Sequence, residues 1–202
     1  METTRKKVAR EAASLLYNNL IQEYKPAKEK AAENLGVRII PSNLEVAVEL
    51  DKIADEFEGP SRNELIVELR KSALQTMTYL SEFNPKLTGS VWRGTCYKGS
   101  DIDIQIFSTD AESVLERLKA GGFQITKTEW RKKAEKGSVK HYYHIYLQLP
   151  IGNEVDVIMK NPDDIQVQEK CDIYGDSVVG LNISQLHELL EKNPLKKFTP
   201  TP

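Results

Sequence analysis

This 202-residue chain has little cysteine, little histidine and almost no net charge. Its two cysteines, Cys96 and Cys171, fit neither a disulfide framework nor a metal-ligand spacing, so a reducing compartment, the cytoplasm, is the expected setting. Of the three histidines, His141 and His144 would fall on opposite faces of one strand with no acid at ligand spacing, which favours packing or surface roles over zinc. A net charge of −2 argues against nucleic-acid binding by the whole surface, and any RNA contact must come from a local patch. No apolar run approaches transmembrane length, and the opening Met1-Glu2-Thr3-Thr4-Arg5-Lys6-Lys7 lacks the apolar core of a signal peptide. At 40% hydrophobic and 29% charged the composition is that of a globular protein, long enough for one domain with an extension or two small ones.

What is present first is helix. Val8, Ala12, Leu15, Leu16, Leu20 and Tyr24 recur at helical spacing and predict one long amphipathic element, kinked or restarted at Pro26 and closed near Gly36. Ser42 and Glu45 form a capping box before a second apolar face of Val46, Leu50, Ile53 and Phe57. Gly59-Pro60 breaks the chain, and Ser61 with Glu64 opens a third helix reaching about Phe83. Arg5, Lys6, Lys7 and Arg10 read as a solvated basic turn rather than an RNA contact. The helical region carries no chemical motif; it could cover the sheet, hold a substrate or form a homodimer.

The informative stretch runs from Leu87 to Ile104. Gly89-Ser90 follows a short apolar step and precedes residues able to start a helix. Glycine there lets backbone approach a ligand closely, and the unpaired N–H groups of a first helical turn suit an anion such as a triphosphate. Asp101 and Asp103 alternate with Ile102 and Ile104, so on a strand both carboxylates share a face while both isoleucines enter a core. Neighbouring carboxylates repel unless a cation holds them, and Mg²⁺ prefers such oxygen ligands together with phosphate and water. A phosphate-holding turn followed closely by paired aspartates suits metal-assisted nucleotidyl transfer.

The ordered set Gly89-Ser90, Arg93-Gly94 and Ser100-Asp101-Ile102-Asp103 resembles the signature of the DNA polymerase beta-like nucleotidyltransferase superfamily. It looks most like the minimal nucleotidyltransferases, the aminoglycoside nucleotidyltransferases and the archaeal-type CCA-adding tRNA nucleotidyltransferases. The resemblance covers about a tenth of the chain. It implies an α+β fold with a mixed β-sheet catalytic core and helices on one face. It also implies a two-metal Mg²⁺ site, an NTP substrate and transfer of a nucleoside monophosphate to an acceptor hydroxyl. The expected layout is a helical N-terminal region over 1–84, the catalytic core over 85–165, and a C-terminal helix and tail over 166–202. Within the core, strands are expected to Phe107, over Phe123–Trp130, His141–Leu149 and Glu154–Met159, with a helix over Ala111–Lys119 and Arg131–Gly137 as a charged connection.

The superfamily draws a third acidic ligand from a later strand. Asp156, between Val155 and Val157, is the favoured candidate; Glu154 shares its face and is the rival. The expected catalytic and metal-binding residues are therefore Asp101, Asp103 and Asp156, and the expected nucleotide-binding residues are Gly89, Ser90, Arg93 and Ser100. Arg93 could meet the triphosphate as a forked donor or pair with a local carboxylate, and turn chemistry alone explains Ser100. Lys127, Arg131, Lys132, Lys133, Lys136 and Lys140 gather around one hairpin with Trp130, Tyr142 and Tyr146 close by. That pattern suits single-stranded RNA, and equally an exposed hairpin whose lysines discourage edge pairing. Fifty-two residues lie between Asp103 and Asp156, a spacing more like the CCA-adding group, which tilts the acceptor toward an RNA 3′ end. That group is much longer and carries further tRNA-gripping domains, which these 202 residues are not expected to hold, so full CCA addition is not expected. The rival readings are transfer of AMP to a protein hydroxyl, a small-molecule acceptor, and a silent nucleotide- or RNA-binding module.

Overall fold

The computed structural model describes residues 3–135, 138–150 and 152–200. The chain divides into two compact units, one of residues 1–64, 169–177 and 199–202, the other of 65–168 and 178–198. The division falls at 64 rather than at 84, inside a single helix spanning Pro60–Tyr79.

The first unit is built on α1 (Thr4–Tyr17), α2 (Tyr24–Asn34) and α3 (Asn43–Glu58). The single long helix expected through Tyr24 is two. Asn18 caps α1 and Asn19 takes a left-handed conformation (φ 54°), which asparagine tolerates better than most residues, so the apolar periodicity runs across a break. Pro26 sits in the first turn of α2, where its missing N–H removes no helical bond. The capping box of α3 forms as expected: Glu45 N–H donates to Ser42 Oγ at 3.2 Å and Ser42 N–H to the Glu45 carboxylate at 2.7 Å. Buried alanines (Ala9, Ala12, Ala13, Ala27, Ala31, Ala47, Ala54) let these helices pack closely. The basic turn is held by α3: Arg5 donates twice to Glu45 (2.6 and 2.9 Å) and Arg10 reaches Glu56 and Glu49.

The second unit carries a five-stranded mixed sheet, the α+β core expected of the sequence. Its strands are β1 (Lys86–Thr88), β2 (Ile102–Phe107), β3 (Gln124–Glu135), β4 (Ser138–Gln148) and β5 (Glu154–Lys160), in the order β1-β2-β5-β4-β3. Only β2 and β5 run parallel; the other neighbours are antiparallel. Leu87, Ile104, Val157 and Ile145 form one register row on the buried face. Against that face pack Leu69, Met77 and Leu80 of α4 (Pro60–Tyr79) and the turn after it, together with Val114 and Leu118 of α6 (Ala111–Ala120) and Leu186 and Leu189 of α7 (Ile183–Lys192). Between β1 and β2 lies the one-turn α5 (Gly89–Arg93).

The charged segment read as a connection is strand as far as Glu135, and β3 and β4 pair from Gln124↔Gln148 to Glu135↔Ser138. β5 pairs with β4 only up to Tyr143, so the outer part of the hairpin is a two-stranded ribbon. Its pairing is carried by backbone bonds, which a charged sequence supplies as well as an apolar one. No helix among the described residues is long and apolar enough to cross a membrane.

Candidate active site

The face of the sheet opposite the core holds the chemistry. One register row crosses all five strands: Thr88 on β1, Asp103 on β2, Asp156 on β5, Tyr146 on β4 and Lys127 on β3. Asp103 and Asp156 are direct neighbours on the parallel pair, so two residues with 52 others between them in sequence present their carboxylates side by side. Asp101 immediately precedes β2 and is exposed.

These acids act on one another through their charges. Burial first, then the charges of Asp156 and Asp101, push the Asp103 carboxyl up to about 7. Asp101 is raised by burial and by Asp156. Glu154 is raised by burial, then by Asp101 and Asp156, with Lys127 and Arg131 opposing. Glu154 therefore belongs to the same acidic field as the three aspartates.

The turn preceding them is fitted to Asp103. Gly89 has φ +67°, and a Cβ placed there would lie 1.8 Å from Asp103 Oδ2 and 2.8 Å from its Cγ. Only glycine accommodates both the left-handed backbone and the carboxylate against it. Ser90 follows, half-buried, and its carbonyl accepts from Thr95 N–H at 3.0 Å. Gly94, at φ +71°, ends the helical turn.

Two expected nucleotide contacts are engaged elsewhere. Arg93 is buried: its guanidinium donates to the Phe198 carbonyl at 2.8 Å and lies 4.6 Å from the centre of the Trp92 ring. The Phe198 N–H returns a bond to the Arg93 carbonyl at 2.8 Å. Arg93, expected either to meet a triphosphate or to pair with a local carboxylate, ties α5 to the C-terminal segment. Ser100, also buried, closes its own turn, its Oγ accepting from Tyr97 N–H at 3.0 Å and its N–H donating to the Tyr97 carbonyl at 2.9 Å.

The basic hairpin is sorted by strand parity. Lys127 and Arg131 share the carboxylate face, while Lys132 points to the other side. Lys140 pairs with Asp164 at 2.9 Å. Lys133 lies in β3, opposite Lys140, and Lys136 lies outside the described residues.

Three residues, His144, Tyr146 and Glu129, take partners that the sequence did not show. His144, buried on β4, places Nδ1 2.9 Å from both oxygens of Asp156. An ionised carboxylate can only accept, so Nδ1 is the protonated nitrogen and donates. His144 was expected to pack without an acidic partner; the partner comes from the neighbouring strand, where local spacing cannot show it. Tyr146 stacks on His144 (centroids 6.1 Å apart, 17° between planes) and donates through its hydroxyl to Glu129 at 3.0 Å.

Whether these groups suit divalent cations can be judged from the donors. Asp101, Asp103, Asp156 and Glu154 are all carboxylates, the hard oxygen donors that Mg²⁺ takes, and their mutual repulsion is what a cation would relieve. Among the described residues no three His, Cys, Asp or Glu side chains already converge around one point. The chemistry of the set fits Mg²⁺, with Asp103 and Asp156 as the inner pair.

No protein family matches the chain, and no curated protein does. Among solved structures it overlaps a cytoplasmic RNA terminal U-transferase (20% identity, TM-score 0.35, 55% of this chain and 35% of that one). It also overlaps Cid1, solved with the UTP analogue UMPNPP (22% identity, TM-score 0.36, 56% of this chain and 37% of that one). The chain thus spans little more than a third of either. Overlap this slight carries no argument about activity.

Proposed function

We propose that the chain is a magnesium-dependent nucleotidyltransferase that moves a nucleoside monophosphate from an NTP to an acceptor hydroxyl, the acceptor being an RNA 3′ end. The observation that carries this reading is the in-register pair Asp103–Asp156 with Gly89 pressed against Asp103. It joins a close backbone turn, suited to phosphates, to a carboxylate cluster in need of cations, within one register row.

Asp101, Asp103 and Asp156 would hold two Mg²⁺ ions, which when bound neutralise the carboxylates, stabilise phosphoryl charge and lower the pKa of the acceptor hydroxyl. Gly89 and Ser90 present backbone to the β- and γ-phosphates, the glycine keeping that approach open. Asp156, on the β4 side of Asp103, would help hold the ion that activates the acceptor hydroxyl, and His144 fixes the plane of its carboxylate. Lys127 and Arg131, on the same face, favour a polyanionic acceptor over a neutral one.

Label transfer tests this. The protein is incubated with Mg²⁺ and each α-labelled NTP in turn, with total RNA and a lysate, and Asp101→Asn serves as control. RNase-sensitive, aspartate-dependent label is the expected result. Label that survives RNase but yields to protease would replace RNA with a protein acceptor. No aspartate-dependent label would refute the reading for both macromolecular acceptors.

A further inference from the structure

Two strands away from the reacting carboxylates, three donors converge on one internal anion. Lys127 Nζ lies 2.6 Å from Glu129 Oε2, Arg131 Nε donates to Glu129 Oε1 at 2.7 Å, and the Tyr146 hydroxyl donates to the same oxygen at 3.0 Å. The ammonium, guanidinium and hydroxyl that donate to this carboxylate are the donor set that a phosphodiester's non-bridging oxygens require. We propose that Glu129 occupies, from within the chain, the seat of a backbone phosphate of the single-stranded RNA acceptor, and that the RNA displaces it. This rests on the nucleotidyltransferase reading and adds the acceptor's phosphate subsite and the group that guards it.

The parts differ in exposure in the way an exchangeable seat needs. Tyr146 is 6% exposed, wedged against His144, and is a fixed donor. Burial, then Asp156, then the bond to Glu129 push its hydroxyl well above the ordinary tyrosine value, so it keeps its proton. The side chains of Lys127 and Arg131 are 57% and 56% exposed, and their charged ends lie 5.5 and 5.4 Å from the centre of the Tyr146 ring. They can swing to a ligand without leaving the ring. Their bonds to Glu129 hold its carboxyl down at about 2, so it is an anion at any working pH. Exposed ion pairs are weak in water, whereas a strand of RNA brings successive phosphates and releases counterions, so exchange favours RNA over small anions.

The position is also right. Tyr146 is the cross-strand partner of Asp156, and Asp156 is among the charges acting on Arg131. Adjacent strands are about 4.8 Å apart, so the β3 seat lies roughly 10 Å from the β5 carboxylate. A terminal nucleotide with its 3′ hydroxyl at Asp156 therefore sends its own backbone toward this seat. With Glu129 in place, both cations are engaged and their combined charge of two is halved, which weakens the seat's pull on stray polyanions.

The test is binding of the full chain, without NTP, to a 5′-fluorescent single-stranded RNA of about 12 nucleotides by anisotropy across a salt series. Glu129→Gln keeps the shape and removes the charge. It is expected to tighten binding roughly five- to tenfold and to steepen the salt dependence by about 0.7 per released cation. Adding Lys127→Ala and Arg131→Ala to Glu129→Gln should abolish the gain, and melting curves confirm that each variant is folded. An affinity for Glu129→Gln within about twofold of wild type, or an equal gain for duplex DNA or heparin, overturns the proposal. Label transfer run in parallel separates the two readings. Transfer without a change in RNA affinity overturns the seat and leaves the transferase; tightened RNA binding without transfer supports the seat and overturns the transferase.

Discussion

Gly89→Ala strikes the junction between the turn and the first carboxylates. The added methyl would begin 1.8 Å from Asp103 Oδ2, 2.8 Å from Cγ and 3.1 Å from Cβ, where ordinary contact starts at 3.4 Å. Asp103 is too short to swing its carboxylate aside while its Cβ stays, so the group must rotate out of the site by more than an ångström or the turn must unwind. A second cost comes from φ +67°, worth roughly 1–2 kcal/mol for alanine. Gly122 supplies the control: it has φ +75° with nothing within 4 Å of a Cβ, so Gly122→Ala carries the backbone cost alone. Gly122→Ala should lose about 1–2 kcal/mol in urea denaturation, and Gly89→Ala more, by the cost of displacing Asp103. Only Gly89→Ala should lose activity in label transfer, by about 100-fold or more, the scale of an ångström misplacement in a reacting group. A folded Gly89→Ala retaining more than about a tenth of wild-type transfer would show that Asp103 does not work from this position.

Arg70, wholly buried, donates to the carbonyls of Val91, Trp92, Pro194 and Lys196, so Arg70→Ala should destabilise by roughly 3 kcal/mol or more, and Arg70→Lys should recover little because one ammonium cannot reach four acceptors; chemical denaturation reads both. His144→Ala should leave the fold intact but lower transfer by about 10–100-fold, with His144→Asn restoring part, since an amide N–H can still reach Asp156; equal rates for wild type and alanine would remove His144 from the site. In chelator, Asp103 binds its proton more tightly folded than unfolded, its carboxyl standing at about 7 against an ordinary 3.8. Ionising it therefore costs stability progressively as pH rises from about 4 to about 7, on the order of 2 kcal/mol once partial exposure is allowed for. Asp103→Asn should flatten that decline and exceed wild type in stability at pH 7.5, and an unchanged pH profile in urea would refute it.

The legible parts of the molecule were those where local chemistry is decisive. Ser42 and Glu45 announced the start of α3 because a capping box satisfies two orphan N–H groups within four residues. Asp101-Ile102-Asp103-Ile104 announced a strand with an acid face and a buried face because alternation is enforced by the pleat. Asp156 could be chosen because Val155 and Val157 gave it the same context, although only the parallel pairing of β2 with β5 sets it beside Asp103. The break after Tyr17 was hidden because Leu20 and Tyr24 keep helical spacing across a left-handed Asn19. The contacts of Arg93 were hidden for a different reason: one partner, Phe198, lies more than a hundred residues away, and the GlySer-to-Arg spacing carries no sign of the C-terminal segment that accepts from the guanidinium.

The hairpin shows most clearly why a site exceeds its motif. Read along the chain, Lys127, Glu129 and Arg131 are three charges in a charged stretch, and His144 and Tyr146 are two rings in an apolar one. Strand parity puts all five on one face, and the pairings Lys127↔Tyr146, Glu129↔His144 and Tyr146↔Asp156 carry that face to the third carboxylate. Those pairings depend on the register of two strands flanking a bulge between Ile125 and Lys127. A one-residue shift in β3 would send Lys127 and Arg131 to the opposite side and bring Trp130 and Lys132 in their place. The register beyond the bulge is thus a determinant of the acceptor side. Deleting Thr126 removes the extra residue and leaves Ile125↔Leu147 and Lys127↔Tyr146 as consecutive pairs, so the charged set should stay on the carboxylate face and RNA binding should persist, whereas deleting Thr128 should turn Glu129 and Arg131 to the other side and abolish it. Salt-sensitive RNA binding retained in a folded Thr128 deletion would mean that the hairpin's charges act without regard to face.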